Sequence, residues 1–277
     1  MHGCMVQDHG CYHLGMGIFS RRLRDHGEPR SPNGASSMHL WWELPGRLVE
    51  VAATLEVVVP PAVPRLYFWA LQVGFDDGRR HRGGAHLGLQ AHPSHPGGTA
   101  VNWGGYRAAA DGGGELAGST SQLASATDNP NTRDFPWVAQ RRYRLRIFAA
   151  DRHGSPRWRG EVTDLATGTA TVVRDLDVPG RFLVQPVVWS EVFARCDHPT
   201  AAVRWSDLRA RAADDRELTP AAVRVSYQSR AEGGCDNTTA AIDGDGLVQL
   251  TNVVRRIGPG TTIAWPSAGG GRAQLPR

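Results

Sequence analysis

The chain has 277 residues and a formal net charge of +4 from 31 basic and 27 acidic side chains; 40% of its residues are hydrophobic and 21% charged. That is enough apolar material for a packed core, which excludes general disorder, and no apolar run approaches the ~18 residues of a membrane span. All 31 basic side chains are arginine, scattered among the acids in short clusters such as Arg141-Arg142-Tyr143-Arg144. The positive balance therefore reads as coding bias; it lacks the one-sided patch of a nucleic-acid protein.

In chain order, residues 1–37 are polar, His-rich and Gly-rich, contain no apolar core of a signal peptide, and are expected to be loosely ordered. Cys4 and Cys11 fall there. Strands follow at Met38–Trp42 and Arg47–Val59, ended by Pro60-Pro61, then at Leu66–Phe75, Gly84–Gln90 and Thr99–Tyr106. A glycine-rich loop at 111–114 precedes a short strand at Glu115–Ala117, and Ser119–Asn131 reads as a long surface loop.

Arg141–Ala149 is the clearest period-two segment, with Tyr143, Leu145 and Ile147 on one face and Arg142, Arg144 and Arg146 on the other. Trp158–Asp164 and Thr169–Asp175 form a hairpin. Phe182–Phe193 and Ala202–Ala210 supply the most apolar pair of strands. Ala212–Leu218 reads as a charged linker, and Val223–Ser229, Gly246–Leu250 and Thr261–Ala264 as short C-terminal strands. No helix of about ten residues or more is expected. The fold class is all-β: a two-sheet antiparallel jelly-roll β-sandwich over residues 38–210, with a small C-terminal β appendage over 211–277.

Cys196 and Cys235 each follow a strand in a turn-like setting, and a disulfide between them is expected to tie the C-terminal region back. No close Cys-x-x-Cys pair supports a zinc site, and no cofactor is expected. Asp128 with Asn131, and Asp243 with Asp245, offer oxygen ligands for Ca²⁺ but match ordinary turns equally well. His81, His86, His92 and His95 crowd one stretch and read as loop residues.

Several segments in order, LYFWALQVGF (66–75), GAHLGLQ (84–90), AVNWGGY (100–106), FPWVAQRRYRLRIF (135–148), RWRGEVTDLATG (157–168) and VVWSEVFARC (187–196), resemble a concanavalin A-like sandwich of the lectin/glucanase type. Within that type, the ordering is similar to an actinobacterial family of domains of unknown function. The resemblance implies a carbohydrate connection and an extracellular location.

The expected function is non-catalytic binding of a polysaccharide or glycan. Trp103, Tyr106, Trp137 and Trp158 lie beside glycine or proline, where an exposed ring can meet a pyranose face; Trp69, Trp189 and Trp205 lie within apolar runs and read as core. A glycoside hydrolase or polysaccharide lyase is the alternative, with Glu191 and either Glu161 or Asp207 as the carboxylate pair. Against it stands the expectation that Glu191 is ion-paired with an arginine such as Arg142 or Arg144. A structural or adhesion module is the third reading.

Overall fold

The computed structural model describes residues 26–150 and 157–265; Cys4 and Cys11 lie outside them. The strands are β1 (Ser36–Trp42), β2 (Leu48–Val59), β3 (Tyr67–Asp76), β4 (His81–Ala91), β5 (Thr99–Arg107), β6 (Thr132–Asp134), β7 (Arg142–Ala149), β8 (Arg157–Asp164), β9 (Thr169–Asp177), β10 (Phe182–Val192), β11 (Ala202–Ala212), β12 (Glu217–Leu218), β13 (Ala222–Tyr227), β14 (Thr238–Asp243), β15 (Gly246–Thr251) and β16 (Thr262–Ala264). Among the described residues, helical structure is confined to three-residue 3-10 turns at Pro96–Gly98, Ala109–Asp111 and Arg230–Glu232. None is long and apolar enough to cross a membrane.

The pairings are antiparallel and build two layers. The first runs β16-β13-β1-β10-β3-β4-β5-β6, and the second runs β14-β15-β11-β2-β7-β8-β9 with β12 on the flank of β11. Leu183 of β10 pairs with Leu48 of β2, so the layers are joined along one side. The all-β sandwich expected from the alternation is therefore the fold. The C-terminal strands are shared out: β13 and β16 extend the first layer, β14 and β15 the second.

Alternation explains the layering. On β7, Tyr143, Leu145 and Ile147 are buried while Arg142, Arg144 and Arg146 face out, as the period-two pattern requires. On β2, Val51, Ala53, Leu55 and Val57 enter the same core. Leu40, Trp69, Leu71, Leu87, Leu89 and Val188 meet them from the first layer.

Four local assignments differ from the sequence reading. Glu115–Ala117 contributes a single bridge, Glu115 to Tyr106, rather than a strand. Thr132–Asp134 at the end of the long loop pairs with β5, and the charged stretch before Leu218 ends in a two-residue strand. Thr238–Asp243, whose Thr and Ala give no strong apolar pattern, is a strand because it closes a hairpin with β15 across Gly244-Asp245.

The expected disulfide is present: Cys196 and Cys235, 39 positions apart, have Cα atoms 5.5 Å apart. It clamps the β10–β11 turn to the segment before β14. The Cys235 N–H also donates to Ser36 Oγ at 2.9 Å, which ties both to the start of β1.

Candidate active site

The outer face of the first layer is unusual for a solvent-facing surface, because it carries a second apolar cluster of Phe68, Ala70, Val187 and Trp189, with Trp41 packed against it. Strand register sets its rows. Ser37, Glu191, Phe68 and Gln90 lie side by side across β1, β10, β3 and β4. His39, Trp189, Ala70 and Gly88 form the next row, and Trp41, Val187, Gln72 and His86 the one after. The rings interlock: Phe68 meets Trp189 edge-on at 4.9 Å and His86 at 5.3 Å, and His39 stacks on Trp41 at 5.9 Å. Trp189 donates its indole N–H to Gln72 Oε1 at 3.0 Å.

Burial in this cluster pushes His39 and His86 each down to about 4, so both are neutral near pH 7. The rows from Glu191 to His86 on β10, β3 and β4 therefore present neutral imidazole, amides and aromatic rings beside one acid.

That acid is Glu191. Asn33 donates its side-chain N–H to Glu191 Oε1 at 2.7 Å, and Ser37 Oγ lies 3.4 Å from the same oxygen. Burial pushes the carboxyl above its ordinary range, outweighing the two hydrogen bonds that pull it down. Among the described residues it is the one carboxyl so raised; the other resolved carboxyl shifts, including those of Glu50, Asp77 and Asp214, run downward. No hydrogen bond among the described residues reaches Oε2. The expected arginine partner is not there: Arg144 binds Asp207 at 3.0 Å instead, and neutral donors take the place of the ion pair.

Gln90, two strands away in the same row, is 7% exposed. No hydrogen bond to its side-chain amide occurs among the described residues. At strand spacing, its Cα and that of Glu191 are ~10 Å apart, with Phe68 between them.

Glu161 and Asp207 lie elsewhere. Glu161 sits on the outer face of the second layer, 3.6 Å from Arg146, in a depression shared with Glu50, Arg144, Arg209 and Arg211. Asp207, on the same side at a bulge of β11, is held by Arg144 and by Arg209 at 2.6 Å. Glu191 faces out from the opposite side of the sandwich. Glu191 is thus not paired with either of them as a glycosidase would require, ~5 Å apart for retention: it belongs to one layer, and Glu161 and Asp207 to the other.

The carbohydrate-binding expectation is also corrected. Trp103 and Trp158 are fully buried and Trp137 nearly so; of the four rings proposed as a sugar platform, Tyr106 alone is exposed, at 55%. Neighbouring glycines made room for these rings in the core rather than opening them to solvent: a methyl at Gly160 would lie 2.6 Å from the Trp103 ring. Trp137 and Trp158 donate to the Gln90 and Gly180 carbonyls at 2.9 and 3.1 Å. Trp189, read as core, instead belongs to the outer cluster.

Three of the four candidate calcium ligands, Asn131, Asp243 and Asp245, are bound by guanidinium groups. Asn131 Oδ1 accepts from Arg174 at 3.0 Å, and Arg204 binds both Asp243 and Asp245. His92 and His95 are neighbours, with ring centroids 5.6 Å apart, whereas His86 lies in the outer cluster. Among the described residues no group of three His, Cys, Asp or Glu side chains is placed to hold a metal ion.

No protein-family model matches the chain, and no curated protein sequence matches it. Similar solved structures include a scytalido-glutamic peptidase with a peptide-based transition-state analogue, at TM-score 0.44 and 10% identity, covering 77% of this chain and 97% of that one. A second is SCP-B of the eqolisin family of peptidases with the tripeptide Ala-Ile-His, at 0.43 and 10%, covering 78% and 96%. A third, a scytalido-glutamic peptidase with a transition-state analogue inhibitor, scores 0.42 at 10%, covering 82% and 98%. All three are peptidases.

Proposed function

We propose that this chain is a hydrolase of peptide amide bonds that works through Glu191 on the outer face of the first layer. One observation carries the reading: Glu191 is a partly buried, unpaired carboxyl held above its ordinary range, in rows on β10, β3 and β4 otherwise built of neutral polar and aromatic groups. Raised carboxyls in such settings are the usual donors and acceptors of general acid–base catalysis. Among the described residues, the rows around Glu191 hold no second carboxylate and no cationic cluster for a phosphate, and an uncharged amide suits them better than either kind of substrate.

The residues assign the steps. Ionised Glu191 takes a proton from water through Oε2 as the water oxygen attacks the amide carbon. The side-chain N–H of Gln90 donates to the carbonyl oxygen as negative charge gathers there. Glu191, now protonated, returns the proton to the leaving nitrogen as the carbon–nitrogen bond breaks. Asn33 fixes Oε1, which keeps Oε2 directed at the water. The similar solved structures are of peptidases.

The test is digestion of an unstructured peptide pool between about pH 3 and pH 7, the range a raised carboxyl can span, with products read by mass spectrometry. Cleavage by the natural sequence and its loss, by at least about a hundredfold, in Glu191→Gln is the expected result. Equal cleavage by Glu191→Gln, or no cleavage of any peptide, overturns it.

A further inference from the structure

A hollow of about 450 Å³ opens on the same outer face, on the side of the aromatic cluster away from Glu191, and nothing in the catalytic steps uses it. Register explains why it exists. The row beyond Gln72 and His86 is Gly74, Gly84 and Tyr106, side by side on β3, β4 and β5. Two consecutive positions without side chains lower the floor, over which the His81 ring and the Val184 side chain lie against Gly74, and bulky groups rise on either side of it. Trp41 and His86 form the wall towards Glu191, and Tyr106 forms the far wall. The Tyr106 ring is large and exposed, although the residues before it on β5, Ala100 to Gly105, are buried.

Resting on the reading of Glu191 as the acid of a peptide hydrolase, we propose that this hollow is the subsite that selects the substrate: it takes a bulky uncharged side chain, aromatic by preference, and disfavours lysine and arginine. Three features point to that chemistry. The walls are two aromatic rings and an imidazole that is neutral above about pH 4, a lining that favours flat apolar groups. No carboxylate is among its lining residues; the charge at its rim is Arg107, with His81 beside it. A cationic side chain would therefore enter without a counter-ion and against a like charge. The hollow also lies on the same face and along the same strands as the catalytic row. From Phe68 to Gly74 is six strand residues, ~20 Å, so an extended peptide lying along β3 with its amide at Glu191 reaches the hollow five to six residues away.

The experiment uses eight-residue peptides of Ala, Gly and Gln in which one Phe, Lys or Ala is moved stepwise along the chain. Cleavage five to six residues from Phe, with kcat/KM at least about tenfold above the Ala and Lys peptides, is the expected result. That Phe-over-Ala ratio should fall towards one in Tyr106→Ala, an exposed position whose thermal melt reports that the fold is kept, and in Trp41→Ala. Separately, the Phe peptide is titrated into Glu191→Gln and followed by the chemical shifts of the tryptophan indole N–H groups. Cleavage without preference for Phe, or a ratio unmoved by Tyr106→Ala, overturns the subsite while leaving the hydrolase reading intact. Absence of cleavage together with Phe-dependent shifts of Trp41 overturns the hydrolase reading and leaves a peptide-binding hollow. Absence of both overturns the two together.

Discussion

Trp205 donates its indole N–H to Gln249 Oε1 at 2.9 Å, and the same oxygen accepts the Ser190 hydroxyl at 2.6 Å. Gln249 Nε2 in turn donates to the Met38 carbonyl at 3.0 Å. One amide, 1% exposed, thus links β11 and β15 of the second layer to β1 and β10 of the first. Gln249→Leu would leave an indole N–H, a hydroxyl and a carbonyl buried without partners. A loss of about 3 kcal/mol is expected, measured as a lower urea midpoint with an unchanged slope; a loss under ~1 kcal/mol would mean that the three groups find other partners.

The Cys196–Cys235 bridge closes a loop spanning 39 positions. Constraint of the unfolded chain by a loop of that size contributes ~4 kcal/mol. The double variant Cys196→Ser, Cys235→Ser should melt well below the oxidised protein, and reducing agent should reproduce the shift in the natural sequence. Ser36 bonds the Cys235 N–H, and Ser37 contacts Glu191, so peptide cleavage should decline together with stability. Identical melting of oxidised and reduced protein would contradict this.

Glu191→Gln should stabilise the fold near neutral pH. The folded carboxyl is raised, so at pH values above that raised value the native state holds a charge it disfavours, whereas the unfolded chain holds it freely. Below the ordinary Glu value of about 4.3 both states are protonated and the advantage of glutamine should vanish. Thermal melts of the two proteins across this range check the sign: a gap that widens on acidification would show that Glu191 is favoured as the anion.

His39 and His86 lean the other way. Each falls from 6.5 to about 4 on folding, so the unfolded chain takes up protons first as pH drops. Stability should decrease from about pH 6.5 to pH 4, on the order of 3 kcal/mol for the pair after allowing for their contact with solvent. In the double variant His39→Gln, His86→Gln this part of the slope should disappear. An unchanged slope would place the acid sensitivity on other groups.

The sandwich was legible because alternation is a local signal. Tyr143, Leu145 and Ile147 announce a core face whatever they pack against, and nearly every long strand was visible in the same way. Ring placement was not legible, because it depends on what stands opposite. Trp103 beside two glycines looks like a loop residue until Gly160, on another strand, is seen to make space for it. The surroundings of Glu191 were hidden for a related reason, since its partner Asn33 is 158 positions away. One signal went unread. In GAHLGLQ the residues Ala85, Leu87 and Leu89 face the core, which puts His86 and Gln90 together on the other face. A strand with chemistry-bearing side chains opposite its apolar ones marks a working surface.

The floor formed by Gly74 and Gly84 bears on how such a molecule would diversify. A methyl at Gly84 would already come within 2.9 Å of the Val73 carbonyl oxygen, so that part of the floor is closed to mutational exploration. Residues 41 and 106 are not confined in this way. A lineage could exchange those two repeatedly, trading one diet for another, while the architecture underneath stayed untouched.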